Sequence, residues 1–118
     1  MKYVLLIYIE EGAIDETERV HCYAKSTELA QQLRSNGKFI TTAPLHSVAT
    51  ATSVRMRDGK RQVIDGPFAE TREQLGGLFL IDARDLDEAI SIAARIPGAQ
   101  VGTVEIRPVV GIPGLPET

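Results

Sequence analysis

Apolar runs of strand length alternate along the chain with segments whose apolar positions recur at helical spacing. Residues 3–9 form a continuous apolar and β-branched run, which predicts a strand buried on both faces. Residues 15–36 have the pattern of a helix, and Asn36-Gly37 supplies its C-terminal stop. The apolar stripe predicted for this helix comprises Val20, Tyr23, Ala24, Ala30 and Leu33. Residues 38–43 resume strand character, so the first third of the chain predicts a β-α-β unit.

The last third of the chain repeats this order of elements. Residues 78–81 are a strand-like run, and Asp85 with Glu88 has the spacing of a capping box at the start of a helix. The buried stripe predicted for this helix comprises Leu86, Ala89, Ile90, Ala93 and Ile96. Pro97-Gly98 ends the helix and residues 101–109 return as a strand, which predicts a second β-α-β unit.

Between the two units, residues 50–64 predict an inserted β-hairpin. Apolar residues alternate with arginines from residue 54 to residue 57, and Asp58-Gly59 provides the turn. Two β-α-β units can lay their amphipathic helices on one face of a shared antiparallel sheet. The pattern therefore predicts an α+β, ferredoxin-like fold.

One domain over residues 1–110 accounts for these elements, and 118 residues is an ordinary length for a single domain. Residues 111–118 are rich in glycine and proline, which predicts an extended C-terminal tail. A four-stranded sheet with helices on one face leaves its other face bare. We therefore expect a homodimer in which two sheets meet face to face.

Composition and charge narrow the classes of partner. The net charge of −3 and the absence of a basic patch interleaved with aromatic residues disfavour nucleic acid as a direct ligand. Cys22 is the single cysteine, so an intrachain disulfide is impossible, and a reducing cytoplasm is expected. The apolar run of residues 3–9 is far shorter than the roughly 20 residues of a membrane helix, so no membrane association is expected.

The segment of residues 65–77 holds the densest group of candidate functional side chains. It combines a turn signal, five ionisable or hydroxyl side chains between Asp65 and Glu73, and the pair Gly76-Gly77. Asp65 alone is explained by a turn, since its carboxylate can accept backbone N–H bonds. Residues 69–75 could form a short helical turn whose charges are simply solvated. The glycine pair precedes a strand and lacks dinucleotide-site spacing, so close backbone packing explains it better.

The alternative interpretation of this segment is a small-molecule site. Asp65 or Glu70 would act as the proton acceptor, so these two residues are the candidate catalytic groups. Arg55 and Arg72 would bind an anionic or carbonyl oxygen of a small ligand, with Glu73 beside them. The parity of the hairpin limits this hypothesis. If Asp58-Gly59 is a two-residue loop, Asp65 lies opposite residue 52 and Arg55 points to the other face.

The two histidines differ in their predicted surroundings. His21 aligns with polar residues on the first helix, which predicts a solvent-facing side chain. His46 follows a strand end, where binding residues often lie, and is a candidate ligand-binding residue, although most loop histidines have no such role. No motif in the sequence indicates a metal site or a cofactor.

The nine residues 65–73, which read DGPFAETRE, are preceded by ATSVR at residues 51–55 and followed by EIRPV at residues 105–109. Together they resemble the DGPF branch of the YCII-related proteins, and the resemblance spans nearly the whole chain. It implies a dimeric, ferredoxin-like α/β barrel with a polar cleft for a small molecule. It also implies a frequent genomic association with extracytoplasmic-function sigma factors. The residues that match the motif are Arg55, Asp65, Glu70, Arg72 and Glu73.

The wider YCII group includes a dehalogenase-type enzyme that relies on a His-Asp pair, with its histidine on the first helix. This chain departs from that pattern, because the corresponding position is near Ser26 and His21 is out of register by more than a helical turn. The leading hypothesis is a cytoplasmic homodimer that binds, and transforms by acid–base chemistry, a small polar or anionic metabolite. The alternative is a non-catalytic accessory protein that contacts a protein of a sigma-factor pathway.

Overall fold

The computed structural model describes residues 1–117. A four-stranded antiparallel sheet and two main helices form its centre, and a separate hairpin projects from it. The elements in chain order are β1 Lys2–Ile9, α1 Glu16–Ser35, β2 Phe39–Pro44, β3 Thr52–Arg57, β4 Lys60–Asp65, β5 Gln74–Asp82, α2 Leu86–Ala94, α3 Gly98–Val101 and β6 Thr103–Pro108. Short 3-10 turns occupy Glu11–Ala13 and Val48–Thr50.

The strand order confirms the predicted fold class. The large sheet has the order β2-β5-β1-β6, and each neighbouring pair of strands is antiparallel. This order places the first strand of each β-α-β unit in the middle of the sheet and the second strand at an edge. The chain therefore has the predicted ferredoxin-like α+β architecture.

The core lies between the helices and one face of the large sheet. Alternate residues of the central strands point into it, as the two-residue period of a strand requires. Leu5 and Ile81 are fully buried, and Phe79 is 1% exposed. The two helices and the turn after α2 contribute further buried side chains, including Leu29, Leu33, Ala89, Ile92 and Ile96.

The predicted apolar stripe of α1 is correct only in the C-terminal half of the helix. Leu33 is buried, but Val20 is 59% exposed and Tyr23 is 49% exposed. Cys22 and Ser26 are partly buried instead. The physical reason is that the N-terminal half of α1 covers a cavity rather than the core. Polar side chains of this half can therefore face the sheet.

Helix α2 begins with the predicted cap. The Asp85 carboxylate accepts a hydrogen bond from the backbone N–H of Glu88 at 2.9 Å. The Glu88 carboxylate accepts hydrogen bonds from Lys38 Nζ and from the backbone N–H of Arg84, both at 2.9 Å. These donors, with Lys38 first, lower the pKa of Glu88. Glu88 thus joins the start of α2 to the residue before β2.

The side of α2 that faces the core is rotated slightly about the helix axis from the predicted stripe. Ala89 is fully buried as predicted, whereas Leu86 and Ile90 are 51% and 48% exposed. Ile92, which lay outside the predicted stripe, is buried in the core. The helix therefore turns its alanine-rich side to the sheet, because alanine allows a close approach.

The inserted hairpin confirms the predicted turn and pairing. Strands β3 and β4 form their own two-stranded sheet, and Thr52 pairs with Asp65 without a bulge. Asp58 and Gly59 have φ of 52° and 73°, as a two-residue turn with two left-handed residues requires. Because opposite residues share a face, Arg55 and Asp65 lie on opposite faces of the hairpin.

The segment after the hairpin does not form the helical turn suggested for residues 69–75. Residues 66–73 are irregular, with bends, and β5 begins at Gln74, earlier than the predicted strand. Gly66 has φ of 114°, a conformation that other residues rarely adopt. Thr71 donates its hydroxyl hydrogen bond to the carbonyl oxygen of Glu73. Such a local bond satisfies a backbone acceptor without a helix.

The second face of the large sheet is apolar at its centre and carries no helix of the described chain, and Glu105 and Arg107 of β6 lie on the same face at its edge. Its central side chains, which alternate with those of the core, are Val4, Leu6, Tyr8, Leu78 and Leu80. The chain beyond β6 crosses no further strand. Its residues 109–117 are exposed, and Thr118 of the predicted tail lies outside the described residues. None of the described helices is both long and apolar enough to cross a membrane.

Candidate functional site

A cleft opens between α1 and the end of the large sheet where β1 and β2 finish. Its outer chamber has a volume of about 620 Å³. Its inner chamber, with about 260 Å³, lies between the middle of α1 and the sheet. Cys22, Tyr23 and Gly76 line both chambers. We refer to the two chambers together as the helix–sheet cleft.

The outer chamber has a mainly apolar wall that carries charged side chains of both signs. Its polar side chains come from the turn after β1, the first turns of α1 and the segment after β2, namely Glu11, Glu16, Arg19, Tyr23, His46 and Ser47. Arg19 Nη1 lies 3.5 Å from Glu16 Oε2, one turn away on the same helix. The chamber therefore presents two carboxylates, one guanidinium and one imidazole.

The inner chamber is mainly apolar. Ile7, Phe79 and Ile96 form part of its wall, and Cys22 and Ser26 add a thiol and a hydroxyl from α1. A chamber of this kind suits a small apolar body with a few oxygen atoms at its rim.

The glycines of β5 make the inner chamber possible. A Cβ atom at Gly77 would lie 3.1 Å from the carbonyl oxygen of Ala43 in the neighbouring strand, closer than an ordinary contact. The predicted role of Gly76-Gly77 in close backbone packing is confirmed at Gly77. Because these residues have no side chains, the floor of the cleft stays open beneath Cys22 and Tyr23.

Glu11 fixes the segment that carries His46. Its carboxylate accepts hydrogen bonds from Ser47 Oγ and from the backbone N–H of Val48, both at 2.8 Å. Hydrogen bonds to a charged group are stronger than neutral ones. The turn after β1 therefore holds the chain between β2 and β3, and with it one wall of the outer chamber.

His46 also borders a third cavity, on the other side of that segment. This cavity, of about 710 Å³, has Tyr8 and Leu75 of the open sheet face at its base, and Pro67 and Phe68 at its rim. We call it the loop cavity. Of the six candidate site residues, His46 is the one that lines any of these three cavities, and it lines two of them.

Arg72 and Glu73 make contacts that hold the segment after the hairpin in place. Arg72 Nε lies 3.2 Å from a Glu10 carboxylate oxygen, and its side chain is 86% exposed. Glu73 accepts a hydrogen bond from Thr103 Oγ1 at 2.8 Å, at the start of β6. Both contacts link the motif to residues that are distant in sequence but lie at the same end of the sheet, so each has a structural explanation.

Arg55 packs on an aromatic ring of the same motif. Its guanidinium carbon lies 5.6 Å from the centre of the Phe68 ring, a distance typical of a cation–π contact. Asp65 and Glu70 are exposed and are not among the residues that line the three cavities. Their catalytic role stays a prediction, as do the binding roles of Arg55, Arg72, Glu73 and His46.

The sequence reasoning missed Arg19 and Cys22 of α1, which face the cleft, and named Ser26 only as the position that corresponds to the histidine of the dehalogenase-type enzyme. Arg19, Cys22 and Ser26 follow one another at spacings of three and four, which places them on one side of the helix. A polar stripe at helical spacing was the available signal, but the neighbouring apolar residues obscured it. His21 lies outside this stripe and is exposed, as predicted.

The side chains that commonly bind metal ions are dispersed in the described chain. Within residues 1–117, no three His, Cys, Asp or Glu side chains come together as a group that could hold a metal ion. The cleft can offer hydrogen bonds, charge and shape to a ligand through the side chains described above.

The chain is similar to a family model, to a protein of known sequence and to a solved structure. The family model described as "YCII-related domain" matches residues 1–113. An uncharacterized protein of Rhizobium meliloti (strain 1021), R00369, is 36% identical over 115 residues, which cover 92% of this chain and 91% of that protein. The structure of 5-chloro-2-hydroxyhydroquinone dehydrochlorinase from Burkholderia phenoliruptrix AC1100, in complex with 2,5-dihydroxybenzoquinone, is similar in fold. It has a TM-score of 0.58 and 13% identity, and the match covers 93% of this chain and 94% of that chain.

Proposed function

The chain belongs to the YCII-related domain family, and from this premise we propose that it is a cytoplasmic protein that binds a small polar metabolite in the helix–sheet cleft. The observation that carries the proposal is the polar inner side of α1. Cys22 and Ser26 face the sheet at positions where a helix normally presents apolar residues to a core. Polar groups in such positions are costly unless they contact a ligand or water.

The two chambers indicate the character of this metabolite. The inner chamber suits a compact apolar body, and the outer chamber offers Arg19 and His46 to oxygen atoms. The carboxylates of Glu11 and Glu16 would repel a ligand that carries more than one negative charge in the outer chamber. A ring-sized, oxygenated molecule with little net charge therefore fits better than a strongly anionic one. The similar solved structure contains a ring-sized, oxygenated molecule, 2,5-dihydroxybenzoquinone, whose acidic hydroxyl groups ionise below neutral pH. Hydroxylated quinones and their uncharged analogues are therefore the first compounds to test.

Acid–base chemistry on the bound molecule is the second part of the proposal. His46 borders the outer chamber, and an imidazole can accept or donate a proton near neutral pH. Asp65 and Glu70 are the other proton acceptors that we propose, and because both lie outside the helix–sheet cleft, their variants also test whether the site extends beyond it. The variants His46→Gln, Asp65→Asn and Glu70→Gln separate these roles, because each removes one titrating group and keeps nearly the same size.

The first experiment is a thermal-shift screen with hydroxylated quinones, lactones, small carboxylates and phosphorylated metabolites. A ligand at one hundred times its dissociation constant stabilises the folded chain by about 2.7 kcal/mol. Cys22 gives a direct second measurement, because the single thiol of the chain lines both chambers. A compound in the cleft should slow the reaction of Cys22 with a thiol reagent.

A pair of α1 variants tests where the compound binds. Ser26→Leu fills the inner chamber and should abolish both the thermal shift and the protection of Cys22. Ala24→Leu places the same side chain on the exposed side of the helix and should change neither. Unaltered binding by a folded Ser26→Leu variant would contradict the cleft as the site. If no compound stabilised the wild type, the accessory role in a sigma-factor pathway would be tested next by pull-down.

We also propose that two copies associate through the open face of the large sheet. The support is its row of apolar side chains, including Leu6, Leu78 and Leu80, on a face without a helix. The loop cavity opens beside the end of this face at Tyr8.

A further inference from the structure

The loop cavity differs from the helix–sheet cleft in its chemistry. Among the described residues that line it there is no Asp, Glu, Lys or Arg. Two aromatic side chains contribute to it: Tyr8 at its base, and Phe68, which is 78% exposed. An aromatic side chain exposed to this degree beside a cavity is a common feature of protein contact sites.

Apart from the Tyr8 hydroxyl and the His46 imidazole, the polar side chains of the loop cavity are paired with one another or with their neighbours. Ser47 donates its hydroxyl hydrogen bond to Glu11, and Thr50 donates to the carbonyl oxygen of Ser47 at 2.7 Å. Gln74 accepts from the backbone N–H of Glu11 and donates to the carbonyl oxygen of Thr71. Few donors and acceptors therefore remain for a polar metabolite, and the cavity suits an uncharged, apolar occupant.

The chain itself supplies a segment of this kind. Residues 109–116 carry no charge, and Val110, Ile112 and Leu115 are 72%, 58% and 62% exposed. Pro113 and Pro116 restrict the backbone, so less conformational entropy is lost when the segment binds. Extended, proline-containing segments commonly bind in grooves lined by aromatic residues.

The start of this segment lies at the opposite end of the sheet from the loop cavity. The backbone N–H of Val109 donates to the carbonyl oxygen of Lys2 at 2.9 Å, whereas the cavity lies at Tyr8. Six residues of strand separate these points by roughly 20 Å. If two open sheet faces meet about a two-fold axis that runs across the strands, the Lys2 end of one copy lies over the Tyr8 end of the other.

We infer that residues 109–116 of one copy bind in the loop cavity of a second copy, with Leu115 or Ile112 against Phe68. The inference rests on the association through the open sheet face proposed above, and it does not depend on ligand binding in the helix–sheet cleft. Binding would be reciprocal, because a two-fold axis gives each copy one tail and one cavity.

Cross-linking between two single-cysteine chains tests the inference. One chain carries Cys22→Ser and Phe68→Cys, and the other carries Cys22→Ser and Leu115→Cys with a tag that changes its mass. After mixing and mild oxidation, a covalent heterodimer is expected on a non-reducing gel. A chain with Cys22→Ser and Lys60→Cys, at the tip of the hairpin, replaces the Phe68→Cys chain as the control and should give little heterodimer.

Sedimentation of the wild-type chain shows whether a negative result overturns only tail binding or also the sheet-face dimer. A dimeric wild type without the 68–115 cross-link would overturn tail binding and leave the sheet-face dimer standing. A monomeric wild type would overturn both. In the full chain, Ile112→Asp should raise the dissociation constant of the dimer at least tenfold, and an unchanged constant would also count against tail binding.

Discussion

Gly102 is a position where one added methyl group should disturb the large sheet. A Cβ atom there would overlap the carbonyl oxygen of Tyr8 and lie 3.2 Å from the Cα of Ile9. Gly102→Ala should therefore lower the free energy of unfolding by about 1–3 kcal/mol, measured by urea denaturation.

Gly12 provides the matched control for this substitution. A Cβ atom at Gly12 would meet no other atom within 4 Å. Gly12→Ala should change the free energy of unfolding by no more than about 0.5 kcal/mol. Equal destabilisation of the two variants would refute the steric explanation for Gly102.

Glu88 should make stability depend on pH in the acid range. Its pKa is lowered in the folded chain, chiefly by the hydrogen bond from Lys38 and then by the backbone N–H of Arg84. Its folded pKa is below the unfolded value of about 4.3, so the stabilisation is present above pH 4.3. It is lost as the pH falls from there through the folded pKa.

The variant Glu88→Gln should therefore lose less stability than the wild type when the pH falls from 6 to about 3. Urea unfolding at several pH values measures this difference. Glu28→Gln is the control, because Glu28 lies 3.6 Å from Lys25 in an exposed pair on α1. If Glu28→Gln flattened the pH dependence as much as Glu88→Gln did, the assignment to Glu88 would be wrong.

Among the elements, the turn after β1 should control the mobility of the chain between β2 and β3. Glu11→Ala removes the acceptor of two hydrogen bonds, from Ser47 Oγ and from the backbone N–H of Val48. Hydrogen exchange in residues 45–51 should become faster, and ligand affinity in the outer chamber should fall. Exchange followed by mass spectrometry on peptides of this segment measures the first effect.

Glu10→Ala is the adjacent control for the Glu11 variant. Glu10 pairs with Arg72, so its loss should speed exchange in residues 69–74 and leave residues 45–51 unchanged. Both variants lose one carboxylate from the same turn, so a general charge effect would alter the two segments alike. That result would contradict a specific role for Glu11.

The hairpin shows what the sequence could predict about an element. Its turn residues and its two-residue period determine which side chains face each other, and the structure pairs Thr52 with Asp65 as predicted. Helix α1 shows the limit of such reasoning. Its periodicity predicts a helix, but the choice of its inner side depends on the cavity beneath Cys22 and Ser26, and the polar stripe over that cavity competes with the apolar residues Val20 and Tyr23.

The motif segment shows the same limit for side-chain contacts. The turn at Gly66 could be predicted from residue type alone, since its φ of 114° favours glycine. Arg72 contacts Glu10, 62 residues earlier in the chain, and Glu73 contacts Thr103, 30 residues later. Contacts of this kind depend on the order of strands in the sheet and cannot be obtained from spacing within the motif.

At the scale of the whole molecule, the two faces of the large sheet have different roles. The helices bury one face, and the helix–sheet cleft occupies the end of that layer where α1 leaves a gap. The other face holds apolar side chains without a covering helix, and the loop cavity opens at its margin. Small-molecule binding and self-association are thus proposed on separate surfaces, so a variant can impair one without the other.

Leu6 lies at the centre of the open face, since it pairs with Leu78 on one side and with Glu105 on the other. In the proposed dimer, Leu6→Asp would place a charge between the two open sheet faces, where an unpaired carboxylate is costly. Sedimentation should give twice the chain mass of 12.9 kDa for the wild type and the single mass for Leu6→Asp. Val20→Asp, on the exposed side of α1, should remain dimeric. A dimeric Leu6→Asp variant with native circular dichroism would mean that the copies associate through another surface.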